Sequence, residues 1–167
     1  MKTLEERYMH HLRGMQQVCR EGNWGDPFSY ARAKEIAMAI ALAHTISPSL
    51  PGADAFNQKG EPVEYKSTIG PRIQGVYNGI SVFPTWEEQE DYLLNKKIGC
   101  YPEHYIARFD RETNEIVEIW VLTGKQVCDI LIPKLKEKFS TILENKDPRL
   151  GATLTQTDIY KYGKRIK

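Results

Sequence analysis

Apolar positions near the start of the chain recur at intervals of three and four. Leu4, Tyr8, His11, Leu12, Met15 and Val18 form such a series, the spacing that lines one face of a helix over residues 3–20. Residues 22–27 break the pattern. Ser29 is placed to cap a second helix that runs to about residue 46, where Ser47-Pro48 stops it. Positions 36–43 are eight consecutive apolar residues. A helix apolar all round belongs in a core or at a subunit interface.

The period then changes. Two strands are predicted over 52–57 and 62–69, joined by the turn Gln58-Lys59-Gly60, and a loop rich in glycine and polar groups fills 70–79. Thr85-Trp86-Glu87-Glu88 is a capping box for a short helix to about residue 95. Strands over 105–110 and 116–123 read as a hairpin turning at Glu112-Thr113-Asn114. An amphipathic helix over 126–143 follows, with Pro133 expected to kink it, and 158–162 closes the chain before a basic tail. This order gives an α/β (α+β) fold, a central mixed sheet flanked by helices. With no repeat or long linker, residues 1–167 read as one domain. Its helical part, 1–46, is the expected dimerisation part, 50–123 the catalytic sheet, and 126–167 the C-terminal helix and basic tail.

Composition narrows the class. A chain of 167 residues, 41% of them apolar, can bury a genuine core. No apolar run approaches the roughly eighteen residues of a membrane span. The start, Met1-Lys2-Thr3-Leu4-Glu5-Glu6, lacks the apolar stretch of a secretory signal. A cytoplasmic protein with no membrane partner is therefore expected. Cys19, Cys100 and Cys128 are too scattered for a disulfide framework or a cysteine zinc site, and the histidines do not supply one. The net charge of +1 decides nothing, but the last seven residues carry Lys161, Lys164, Arg165 and Lys167 and no acid. Such a tail can touch phosphate.

The chemistry lies in Pro51-Gly52-Ala53-Asp54, then nine residues, then Glu64-Tyr65-Lys66. Residues two apart on a strand share a face, so Glu64 and Lys66 point one way and Tyr65 the other. The turn at Gly60 folds the first strand back and lets Asp54 lie beside Glu64. Charges gathered at a sheet surface need a reason. Phosphodiester hydrolysis supplies one, since two carboxylates can hold Mg²⁺ through hard oxygen ligands while the lysine orients water or phosphate. The bland alternative is that Glu-x-Lys is an exposed strand pair without chemistry.

This stretch resembles the active-site hairpin of the PD-(D/E)XK nuclease superfamily, most closely its PvuII-like type II restriction endonucleases. The matching residues are Leu50-Pro51-Gly52, Asp54-Ala55, Gly60 and Glu64-Tyr65-Lys66-Ser67, with Ile159-Tyr160-Lys161-Tyr162-Gly163-Lys164 near the end. The resemblance implies a restriction-endonuclease-like sheet with Asp54 and Glu64 as Mg²⁺ ligands, the Tyr65 carbonyl beside them, and Lys66 as catalytic lysine. It also implies a homodimer that cuts both strands of double-stranded DNA at a short palindrome. The loop and Pro84-Thr85-Trp86-Glu87-Glu88-Gln89 are similar to small restriction enzymes that read GCNGC.

Glu35 is either an auxiliary acid near the metal or an acid favoured by a helix N-terminus. Ser67 and Thr68, at the end of the catalytic strand, are candidate DNA contacts. Arg72, Gln74 and Asn78 suit base readout, because arginine pairs with guanine and amides with adenine. Tyr77 is either a DNA contact or core, as is Trp86. Lys161, Lys164 and Arg165 are candidate phosphate contacts. Two other functions fit the same residues: a structure-specific nuclease such as a Holliday-junction resolvase, and a non-catalytic DNA-binding module.

Overall fold

Threonines set three of the helix starts. Thr3, Thr85 and Thr155 each accept a hydrogen bond from the backbone three residues on, and Glu6, Glu88 and Asp158 return one. These capping boxes open α1 (Leu4–Glu21), α3 (Trp86–Tyr92) and α5 (Gln156–Tyr162). The computed structural model describes residues 3–48, 52–142 and 148–167. Ser29 does not cap α2. Its hydroxyl donates to Asp26 in the preceding turn, and α2 (Arg32–Leu42) starts at Ala31 without a side-chain cap. It stops at Ala43, which takes a left-handed φ of 54°, short of the predicted residue 46.

The strands are β1 (Thr45–Ile46), β2 (Ala55–Phe56), β3 (Pro62–Thr68), β4 (Gly75–Ser81), β5 (Glu103–Phe109), β6 (Ile116–Thr123), β7 (Arg149–Leu154) and β8 (Lys164–Arg165). Six of them form a mixed sheet in the order β1-β2-β3-β5-β6-β8, in which only β3 and β5 run parallel. The α/β class holds. The three-part division does not, for two reasons. β4 leaves the region read as catalytic sheet and pairs with β7, which no pattern foretold, in a second sheet. The basic tail returns as β8, an edge strand beside β6. The second half of the predicted loop over 70–79 is β4, because Tyr77 and Ile80 are buried and need paired backbone around them.

The main sheet has a core on each face. On one, His104, Ile106 and Leu122 meet α4 (Gly124–Ile142) and the second sheet. Val127, Leu131, Leu135 and Phe139 form the buried stripe of α4, which runs through Pro133 without a break. Residue 143 lies outside the described residues. On the other face, Val63, Tyr65, Tyr105 and Phe109 pack against Met38 and Ala39 of α2. Since only one side of α2 meets the sheet, Ile40 stays 65% exposed, and the helix is not enclosed all round. α1 is more open still. It buries only Cys19, while Leu4 is 74% and Tyr8 66% exposed. Among the described residues no helix is long and apolar enough to cross a membrane.

Two glycines are expected to respond oppositely to alanine. A Cβ on Gly124 would lie 2.2 Å from the Tyr101 carbonyl oxygen, whereas one on Gly14, inside α1, meets nothing within 4 Å. Gly124→Ala should destabilise by about 1–3 kcal/mol or more, and Gly14→Ala should stabilise by about 0.5–1 kcal/mol. Urea denaturation of both variants checks the signs.

Candidate active site

β2 is only two residues long and pairs Ala55 with Val63 and Phe56 with Pro62. Among the described residues, the outer edge of β3 beyond Val63 therefore has no strand beside it. Asp54 takes that place. Its N–H donates to the Val63 carbonyl at 3.1 Å, and its Oδ2 accepts the Tyr65 N–H at 2.7 Å. The N–H and C=O of one strand residue point to the same edge, so the Tyr65 carbonyl aims toward Asp54 as well. Alternation along β3 sets Glu64, Lys66 and Thr68 on the face of His104 and Ile106, their register partners being His104, Ile106 and Arg108. The turn, pairing and alternation together bring Asp54, Glu64 and the Tyr65 carbonyl to one corner.

That corner is acid-rich. Asp54 is 8% exposed. Burial, reinforced by the charges of Glu64 and Glu35, pushes its carboxyl up to about 7, against the opposing pull of the Tyr65 N–H and Lys66. Glu35 occupies the first turn of α2, paired with Arg32 at 3.2 Å. It is thus both an acid at a helix N-terminus and a charge felt by Asp54. Arg32 is itself buried and donates to the carbonyls of Trp24 and Ser47.

Lys66 forms an ion pair with Glu64, and its Nζ lies 5.0 Å from the centre of the Tyr77 ring. Tyr77 is 5% exposed, its hydroxyl 2.8 Å from His104 Nδ1. It cannot be a DNA contact. It forms the floor under Lys66. His104 is fully buried, and desolvation depresses its imidazole to about 4, so it is neutral. Its Nε2 lies 3.0 Å from the Ile98 carbonyl, which can only accept, so Nδ1 receives the Tyr77 proton.

Asp54 and Glu64 open onto a cleft of about 850 Å³ whose other walls include Lys96, Lys97, Tyr101 and Tyr30. The sequence reading missed these four. Lys96-Lys97 carries a signal, but two lysines at a helix end are also what the helix dipole favours. Tyr30 is 98% exposed and holds a φ of 47°, unusual for a bulky residue.

The remaining candidates are dispersed. Thr68 shares the face of Lys66 and accepts the Gly70 N–H. Ser67 points to the opposite face with Tyr65 and does not join it. Arg72 and Gln74 are exposed just before β4, and Asn78 is exposed at the irregularity of β4, next to Gly79 at φ 63°. Trp86 packs edge-on against Phe139. Lys161, Lys164 and Arg165 are exposed, but β8 lies three strand spacings from β3, about 14 Å away.

Among the described residues no group of three or more His, Cys, Asp or Glu side chains is gathered to cage a metal. Mg²⁺ does not require such a cage, because it keeps several waters and binds through one or two carboxylates. Asp54, with its raised proton affinity, and Glu64, beside a carbonyl on an open cleft, fit that demand. No protein-family model matches the chain, and no curated protein matches it. What the fold and site define is a mixed α/β chain with an acid pair and a lysine at an unpaired strand edge.

Asp54 makes stability depend on pH. Its carboxyl titrates from 3.8 when free to about 7 when folded. The stability tied to this proton is full below about pH 4 and is lost as pH rises through about 7. Asp54→Asn cannot ionise yet still accepts the Tyr65 N–H. Its stability relative to wild type should rise between about pH 5 and about pH 8, as read by urea denaturation in EDTA. A difference that does not change with pH contradicts the burial of this charge.

Proposed function

We propose that the chain is a Mg²⁺-dependent endodeoxyribonuclease of the PD-(D/E)XK type, a restriction endonuclease that hydrolyses double-stranded DNA at a short palindromic site. The observation that carries this reading is the Tyr65 N–H bond to Asp54, which sets Asp54 beside Glu64 and the Tyr65 carbonyl. Asp54, Glu64 and the Tyr65 carbonyl would hold the metal. Bound there, Mg²⁺ supplies charge neutralisation at the phosphate and a lower pKa for a water. Lys66 donates to a phosphate oxygen or to the attacking water, its ammonium steadied over the Tyr77 ring. Arg72, Gln74 and Asn78, exposed beyond the end of β3, are the base-reading candidates. The protein would act in the cytoplasm.

Incubation with plasmid DNA and Mg²⁺ tests the activity. Wild type should give discrete fragments, and Asp54→Ala and Lys66→Ala should each lose at least roughly 10²–10³-fold in rate. Cutting in EDTA, or full activity in either variant, contradicts the proposal. Cleavage confined to branched DNA would indicate a resolvase, and retardation without cutting a binding module.

A palindrome is most simply read by two-fold symmetry, with one active site per strand. α1 supports such an assembly. A helix of this length is marginal on its own in water, and this one leaves its apolar stripe uncovered. Leu4, Tyr8, His11, Met15 and Val18 are spaced 4-3-4-3, an order that mirrors itself about His11 to within one residue. An antiparallel second copy would therefore set Leu4 against Val18 and Tyr8 against Met15. Next to the stripe, Ile36 and Ile40 of α2 help line an apolar groove of about 570 Å³. Light scattering should report a dimer. Val18→Glu should weaken it by about 3 kcal/mol over the two copies, roughly a hundredfold in Kd. A wild-type monomer, free and on DNA, contradicts the palindrome reading.

A further inference from the structure

The helix α3 does not end normally. Its last turn widens into a π turn, Leu93–Lys97, and such turns are frequent at functional sites. Buried anchors flank it, since Leu93 and Ile98 are both fully enclosed. The N–H groups of Ile98 and Gly99 both donate to the Leu93 carbonyl, at 2.9 and 3.0 Å. A Cβ on Gly99 would stand 2.2 Å from the Leu94 carbonyl oxygen, so the turn closes only around glycine. The Ile98 carbonyl also accepts from Tyr101 N–H and from His104, which ties the turn to the floor of the site.

From this locked turn Lys96 and Lys97 reach the cleft that Asp54 and Glu64 also line. The helix dipole explains cations at a helix end. It does not explain a fixed turn that brings them into one cleft with two acids. Neither lysine forms an ion pair among the described residues, although opposite charges line the same space. The cleft has the size of a small-ligand site. An anion seated against the lysines, with its far side toward the acid pair and the cation they would hold, satisfies both walls.

We propose that Lys96 and Lys97 bind backbone phosphates of the DNA strand that lies in the cleft, holding it across from Asp54 and Glu64. The inference rests on the nuclease reading. Lysines meet phosphate as point charges and carry no base preference, so their contribution is the same on every sequence.

Fluorescence anisotropy of a labelled duplex in EDTA, over a salt series, tests this without cleavage. Lys96→Ala and Lys97→Ala should each weaken binding equally on all duplexes and lower the salt slope by about one, the double variant by about two. Lys96→Arg should retain the slope. Lys125→Ala, whose lysine is exposed and paired with Asp129 on α4, should match wild type. A merely structural lysine would change melting and leave the slope alone. Wild-type slopes in Lys96→Ala and Lys97→Ala, with wild type binding DNA, overturn the inference and leave the nuclease reading standing. Wild type that neither binds nor cuts DNA overturns both.

Discussion

The outer edge of β3 is left unpaired where a sheet would ordinarily continue, and a carboxylate fills the place of the missing strand. One hydrogen bond, from Tyr65 N–H to Asp54 Oδ2 at 2.7 Å, makes that substitution work. It satisfies an edge donor that would otherwise need water or another strand. It also fixes the side chain beside Glu64. A longer β2 would have capped the same edge with backbone, and Asp54 would have had no reason to turn inward.

This arrangement is held against its own electrostatics. Asp54 is buried among like charges, which costs free energy that hydrophobic packing must offset. The packing that does so is visible on both sides of the strand. Behind it, Tyr65 stands against His44 and Tyr105. In front, Tyr77 and His104 hold each other under Lys66, and His104 in turn is tied to the Ile98 carbonyl. Each member of this layer has its polar atoms satisfied, which is the condition under which a buried polar layer rigidifies a site. The second sheet exists in this context to deliver Tyr77, since β4 is the element that carries it.

The chain also leaves surface that its own fold does not use. The stripe of α1 is apolar and open, and the cleft is lined by charges of both signs. Neither feature improves the stability of an isolated molecule. The first suits a second apolar surface, and the second a chain of phosphates with a hard cation. The first underlies the proposed dimer and the second the proposed DNA contact.

How much of this the sequence determined depends on how local the cause is. Thr3 and Thr85 with their returning glutamates set helix starts, Gly60 folds one segment back on the next, and strand alternation puts Glu64 and Lys66 on one face. All of these act within a few residues, so they are legible in order along the chain. Ser29 shows the limit even there, because Asp26 competes for its hydroxyl. Contacts between distant segments decided the rest. β4 was read as a loop because its glycines and polar residues look like one, and only pairing with β7 makes it a strand. Tyr77 became floor when His104, 27 residues away in the chain, took its hydroxyl. Lys96 and Lys97 looked like an ordinary helix end, and the cleft they face is formed by segments from three parts of the sequence. Local hydrogen bonds and side-chain period can be read one residue after another; which buried surfaces and charges meet is settled only when the whole chain packs.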